Sequence, residues 1–199
     1  MNQYAYFHLT TNLHDSRTSQ RMIDYRVRQR RFFGTLPYPE VYYMNMEEET
    51  LIAKEVFCLS NEMDFVVVAL NLCRDHMHLL VYCEIDEIPK IMHRIKGRTA
   101  RACNAHRAAK GINPLDATNG KYEPRILKDK SIPFWTQKYH CKVIRNSDQL
   151  LNTISYILNN RKKHGLPINP ALQNVIDKNQ LAASPNALIN LIDFAVLLL

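Results

Sequence analysis

Phe65-Val66-Val67-Val68-Ala69-Leu70, then Cys73-Arg74-Asp75, then His76-Met77-His78-Leu79-Leu80-Val81-Tyr82-Cys83 is the stretch on which the fold turns. The first run is apolar and β-branched, as a buried strand requires, and the short polar step after it can reverse the chain. The third run returns as a second strand, so the whole reads as a hairpin. Residues two apart on a strand share a face, so His76 and His78 converge on one point while Met77 enters the core.

Upstream, Tyr4 to Asn12 is rich in β-formers and reads as a strand. Residues 14–36 are irregular and basic, with Arg17, Arg21, Arg26, Arg28, Arg30 and Arg31 among Tyr25, Phe32 and Phe33, before Pro37 and Pro39 break the chain. Glu47, Glu48 and Glu49 then open a helix, where carboxylates suit the positive end of the dipole. Leu51, Ile52, Val56 and Leu59 continue it at helical spacing.

Downstream of the hairpin, Glu87 to about Ala109 reads as a helix. Ile88, Ile91, Ile95 and Ala102 lie on one face, with Lys90, Arg94, Arg98 and Arg101 on another. Gly111 to Phe134 has no clear period and reads as a long loop. Lys138 to Arg145 alternates as a strand. A helix follows, capped by Asn146 or Ser147 with Gln149 placed for a capping box, and it stops near Gly165 with Pro167 beyond. The order strand, helix, strand, strand, helix, strand predicts an α+β fold, a ferredoxin-like βαββαβ antiparallel sheet. One further helix carries Tyr156, and a tail, predicted helical, follows it.

On that helix, Leu150, Leu151, Ile154, Ile157 and Leu158 form an apolar stripe, and Tyr156 and Asn160 fall together on the opposite flank. Two imidazoles, an amide and a phenol are the equipment for breaking a phosphodiester. The expected ligands of a divalent ion, Mg²⁺ or Mn²⁺, are His76, His78 and Asn160, and the expected nucleophile is Tyr156. Tyr139, beside His140 on the last strand, is the weaker candidate nucleophile. A water-using metal hydrolase is disfavoured because no carboxylate is positioned as an obvious base. Each feature alone has an ordinary explanation: His-x-His pairs on strands and tyrosines on helix rims are usually structural.

The bulk numbers agree with a nucleic-acid partner. The chain has 199 residues, 46% hydrophobic and 23% charged, with 5 Gly, which is globular rather than disordered usage. The net charge of +7 and pI near 9.2 favour a polyanion. Phosphate contacts are expected from Lys90, Arg94, Lys96, Arg98 and Arg101, and charge with stacking from Arg28, Arg30, Arg31 and Phe32. The five cysteines are scattered without a Cys-x-x-Cys pair, which suits reduced thiols in the cytoplasm. No signal peptide is visible at the N-terminus. The apolar run Ala187 to Leu199, interrupted by Asn190 and Asp193, is too short to span a bilayer, so no membrane is expected.

Asp75-His76-Met77-His78-Leu79-Leu80-Val81 resembles the HUH strand of the single-tyrosine HUH transposases, above all the REP-associated tyrosine transposases and their insertion-sequence-200-like relatives. Ile95-Lys96-Gly97-Arg98-Thr99-Ala100-Arg101, Phe134-Trp135 leading to Val143-Ile144-Arg145, and Tyr156-Ile157-Leu158-Asn159-Asn160 extend the resemblance over roughly Tyr4 to Leu166. It implies a transposase domain over residues 1–166 and a C-terminal extension over 167–199. It also implies that His76, His78 and Asn160 bind the metal, and that Tyr156 attacks single-stranded DNA beside a hairpin. A 5′-phosphotyrosine link and a free 3′-hydroxyl would result, leading to DNA transposition or related recombination. Relatives act as monomers or dimers, so a homodimer stays open. A DNA-binding protein of the same descent that no longer cleaves is the alternative. Two departures stand out: Arg161 follows Asn160 where the family often has Pro, and Cys73-Arg74-Asp75 replaces the usual Met-Pro lead-in. The arginine-rich segment Arg17 to Arg31 and the tail after Leu166 have no alignable counterpart.

Overall fold

The computed structural model describes residues 3–13, 43–113 and 133–180. Its elements are β1 (Tyr4–Asn12), α1 (Met46–Glu62), β2 (Val66–Cys73), β3 (His76–Glu84), a 3₁₀ turn (Ile85–Glu87), α2 (Ile88–Lys110), β4 (His140–Ile144), α3 (Ser147–Lys163) and α4 (Pro170–Asn179). The strands form one sheet in the order β2-β3-β1-β4, with all three pairings antiparallel. This is the expected α+β arrangement. Arg28, Arg30, Arg31 and Phe32 lie outside the described residues, as does the tail beyond Gln180.

Strand alternation divides the sheet into two faces. Phe7, Leu9, Met77, Leu79 and Val81 point to one, where they pack with Ile52, Val56 and Leu59 of α1 and Ile91, Met92 and Ile95 of α2. Tyr6, Leu80 and Ile144 point to the other and meet Leu150, Ile154 and Ile157 of α3. Met77 is thus a core residue of the α1/α2 side, and the histidines flanking it belong to the α3 side.

A bulge in β2 decides what joins them. Val67 pairs with Val81 and faces α1 and α2; simple alternation would turn Ala69, Asn71 and Cys73 the same way. The register shifts between Val67 and Ala69, so Val68 and Ala69 both enter the α3-side core. Asn71 and Cys73 then also face α3. Asn71 Nδ2 donates to the Ile157 carbonyl at 2.6 Å, and Cys73 Sγ donates to Asn160 Oδ1 at 3.2 Å.

The helix ends follow local chemistry. Asn45 caps α1 in a full capping box with Glu48. Asn146 caps α3 by accepting from the Gln149 amide, but the Gln149 side chain reaches back to the Arg145 amide rather than completing a box with Asn146. Gly165 (φ 61°) takes the left-handed conformation just past α3. Glu48 and Glu49 stand in the first turn of α1 as expected and are buried there: Glu48 pairs with Arg107 at 2.6 Å and Glu49 with Arg161 at 2.8 Å. Arg161 also donates to the carbonyls of Leu72 and Pro167, and so ties α3 to β2, α1 and the approach to α4. α4 occupies part of the predicted extension, and its Leu172 and Ile176 join the α1/α2-side core.

Candidate active site

His76 and His78 stand on β3 opposite Asn12 and Thr10 of β1, on the face that α3 covers in part. α3 begins beside Ile144 at the end of β4 and reaches β2 by Ile157 to Asn160, so it crosses the sheet obliquely. That crossing brings Tyr156 and Asn160 over the two histidines. Tyr156 Oη lies 3.5 Å from His78 Nε2, and His76 Nε2 lies 3.2 Å from Asn160 Oδ1. The two imidazole rings are 4.9 Å apart, nearly perpendicular.

The helix stripe differs from its sequence reading in an instructive way. Leu151 and Leu158 are about two-fifths exposed, and Asn160 is fully buried in line with Ile154 and Ile157. Asn160 therefore belongs to the buried side and not, as expected, to the flank of Tyr156. Tyr156 is 40% exposed and open to solvent on the rim. Tyr139 packs against the α1/α2-side core, across the sheet from the histidines, which removes it as a rival nucleophile.

Supporting residues absent from the sequence reading hold the ring orientations. Asp75 Oδ1 accepts from His76 Nδ1 at 2.6 Å. His78 Nδ1 has His8 Nε2 and Thr10 Oγ1 both at 3.1 Å. With Nδ1–H donated to that pair, Nε2 of His78 presents its lone pair beside the phenol. His164 stacks edge-on to His76 with centroids 5.2 Å apart, and Lys163 places its ammonium 5.3 Å from the Tyr156 ring centroid. Period-two spacing from Tyr6 would have put His8 and Thr10 on one face, and a spacing of seven would have aligned Lys163 with Tyr156. Spacing alone does not reveal the register that sets Thr10 opposite His78.

Electrostatics separate the two histidines. Burial pushes His78 down to about 3, helped by the charges of His76, His8, His164 and Lys163. Burial likewise brings His8 to about 4, with His140 and Lys142 adding to it. Burial also lowers His76, but the hydrogen bond to Asp75 and that carboxylate's charge, with Cys73 adding to them, outweigh it and raise the group to about 10. His76 therefore carries a proton near neutrality, donated to Asn160 Oδ1, while His78 is neutral.

The donor set suits a divalent ion. Once His76 Nε2 loses its proton, two acceptors face each other at 3.2 Å, an arrangement that a cation between them would relieve. Two ligands held at right angles, each about 2.1 Å from Mg²⁺, would be roughly 3 Å apart. Asn160 Nδ2 is buried with no hydrogen-bond partner among the described residues, and there the amide is held by its oxygen. Among the described residues no group of three or more His, Cys, Asp or Glu could hold a metal ion.

The expected phosphate-binding cations of α2 are not brought to this site. α2 lies on the opposite face of the sheet. There Lys90 pairs with Glu87 at 2.9 Å, and Arg98 is held by Glu55 and Glu62. Lys96 donates to the carbonyls of Thr136 and Gln137. Arg94 and Arg101 are exposed on that far side. Among the described residues, no helix is long and apolar enough to cross a membrane.

Comparison with known proteins locates the chain. None of the curated proteins matches it. Among solved structures it is similar to a REP-associated tyrosine transposase bound to a REP hairpin, at 16% identity over 84% of this chain and 73% of that one, with a TM-score of 0.49. It is also similar to a candidate transposase from Deinococcus radiodurans, at 14% identity over 81% of this chain and 93% of that one, with a TM-score of 0.40. The family model described as "Transposase IS200 like" matches residues 41–114, which hold both histidines and end before the tyrosine helix. Across those residues the chain carries the sequence pattern of the IS200-like transposases, the family its histidine strand resembles.

Proposed function

We propose that the protein is a metal-dependent DNA strand transferase that cuts single-stranded DNA through Tyr156. The observation that carries this reading is the approach of Tyr156 Oη to His78 Nε2 within one chain. A bound divalent ion would polarise the scissile phosphate and offset the charge that builds on its oxygens. His76, His78 and Asn160 are the residues that would hold it.

The chain's own groups account for the rest. Tyr156 Oη attacks phosphorus, the bond to the 3′-oxygen breaks, and the phenolic proton ends on that oxygen as a 3′-hydroxyl. The product is a 5′-phosphotyrosine, which keeps the energy of the broken bond and lets a second 3′-hydroxyl reverse the step. Phenols in water ionise only near pH of about 10 and are weak nucleophiles below it, so positive charge near the attacking oxygen matters. Lys163 places its ammonium against the Tyr156 ring, 5.3 Å from the centroid. The resemblance of the sequence to the REP-associated enzymes adds a hairpin beside the cut as the recognition element.

Incubation with 5′- and 3′-labelled hairpin-bearing single strands and Mn²⁺, followed by a denaturing gel, tests the reading. A metal-dependent shift of the 3′-labelled fragment onto protein is expected, abolished by chelation. Tight hairpin binding with no adduct would favour the non-cleaving alternative.

A further inference from the structure

The oblique course of α3 leaves one corner of the site-side face uncovered by it. Cross-strand partners share a face, so His140 stands beside Thr10 and Lys142 beside His8, on the same side as His78. Both β4 residues are exposed, and β4 is an outer strand of the sheet. His8 links this corner to the catalytic groups: it touches His78, and its ring lies 6.1 Å from that of Tyr156. The charges of His140 and Lys142 also act on the His8 imidazole. None of His8, Thr10, His140 and Lys142 is acidic, nor are Lys138 and Arg145, which flank the strand. The basic face of α2 offers less, since its Arg98 is spent on two glutamates and it lies across the sheet from Tyr156.

We propose that this corner, between α3 and β4, is the track along which the single strand reaches Tyr156, with Lys142 and His140 holding the phosphates next to the scissile one. The assignment rests on the strand-transferase reading and adds to it the direction of approach. The occupant is a single-stranded polyanion. An outer strand presenting a lysine and an imidazole on one face offers point charge and a ring for an unpaired base, without the groove a duplex would need.

The test uses the Tyr156→Phe protein, which cannot cut, and a fluorescein-labelled dT20 strand read by anisotropy across a salt series. Lys142→Ala should weaken binding roughly three- to tenfold and flatten the salt dependence by about 0.7 in the log-log slope, the share of the single phosphate that Lys142 neutralises. Lys142→Arg should restore both, His140→Ala with Lys142→Ala should weaken binding further, and Lys54→Ala on exposed α1 should change nothing. In the Tyr156-intact protein, Lys142→Ala should still form the hairpin-strand adduct once DNA is saturating. Lys142 variants that bind dT20 like the parent, while the wild-type protein still forms its adduct, overturn the track and leave the nucleophile standing. Loss of binding in Arg94→Ala with Arg101→Ala instead would move the strand to the opposite face. A wild-type protein that neither binds dT20 nor forms an adduct sinks both readings.

Discussion

Tyr156 Oη lies 3.5 Å from His78 Nε2, although 78 residues separate the two in sequence. The sheet fixes one partner and the rim of α3 carries the other. Because the phenol is 40% exposed and the imidazole 6%, the pair joins a buried ring to one that solvent reaches.

Tyr156→Phe removes a hydroxyl from a solvent-facing ring and nothing from the core. Its unfolding free energy should stay within about 0.5 kcal/mol of wild type by calorimetry. The covalent adduct should vanish on a denaturing gel while dT20 binding persists. A variant that unfolds would assign Tyr156 a structural role instead.

His8 and Thr10 share the Nδ1 of His78, so removing one leaves the other to hold the ring. His8→Phe with Thr10→Val should therefore lower Mn²⁺ affinity by roughly 10- to 100-fold, with each single change costing less. Titration calorimetry measures this directly. Unchanged affinity in the double variant would deny the pair its supporting role.

Ion binding should release protons, and the histidines predict how many. His76, raised to about 10, holds its proton at pH 7, while His78, lowered to about 3, does not. Binding at pH 7 should release about one proton, and affinity should climb about tenfold per pH unit until pH nears the His76 value. Calorimetry in two buffers of different ionisation enthalpy counts that proton. The same shift gives a stability dependence of defined sign. The contribution from protonated His76 is complete below the ordinary histidine value and is lost as pH rises through about 10.

Arg161 meets the nearly inaccessible Glu49 carboxylate at 2.8 Å and the Leu72 carbonyl at 2.9 Å. Arg161→Met strands a buried charge and should cost roughly 3–5 kcal/mol in urea unfolding. Adding Glu49→Gln should recover much of that loss. A cost under about 1 kcal/mol would place the pair among ordinary surface bridges.

Local patterning was enough to read β1, the hairpin, the helices and a cap for α3 at Asn146 or Ser147, because each depends on nearby residues. The same patterning located His76, His78, Tyr156 and Asn160 as a group. What it missed depends on neighbours distant in sequence. The β2 bulge, which turns Asn71 and Cys73 toward α3, leaves no mark in an apolar run. Helical spacing gave Leu151 and Leu158 to the core and Asn160 to the rim, since the width of the covered face depends on how α3 crosses the sheet. The burial of Glu48 and Glu49 likewise needed Arg107 and Arg161, supplied from other helices. That the cations of α2 lie across the sheet from Tyr156 was also out of reach, because sequence shows that they share a helix face and not which side of the sheet that helix covers.

Peptide mapping by mass spectrometry, after reaction of the whole protein with a hairpin-bearing single strand and Mn²⁺, tests the role of Tyr156 most directly. The expected result is a nucleotide-bearing peptide with its 5′-phosphate on Tyr156 and a free 3′-hydroxyl on the released strand. A phosphate bonded to any other residue, or a cut strand carrying a free 5′-phosphate and no protein, would contradict it.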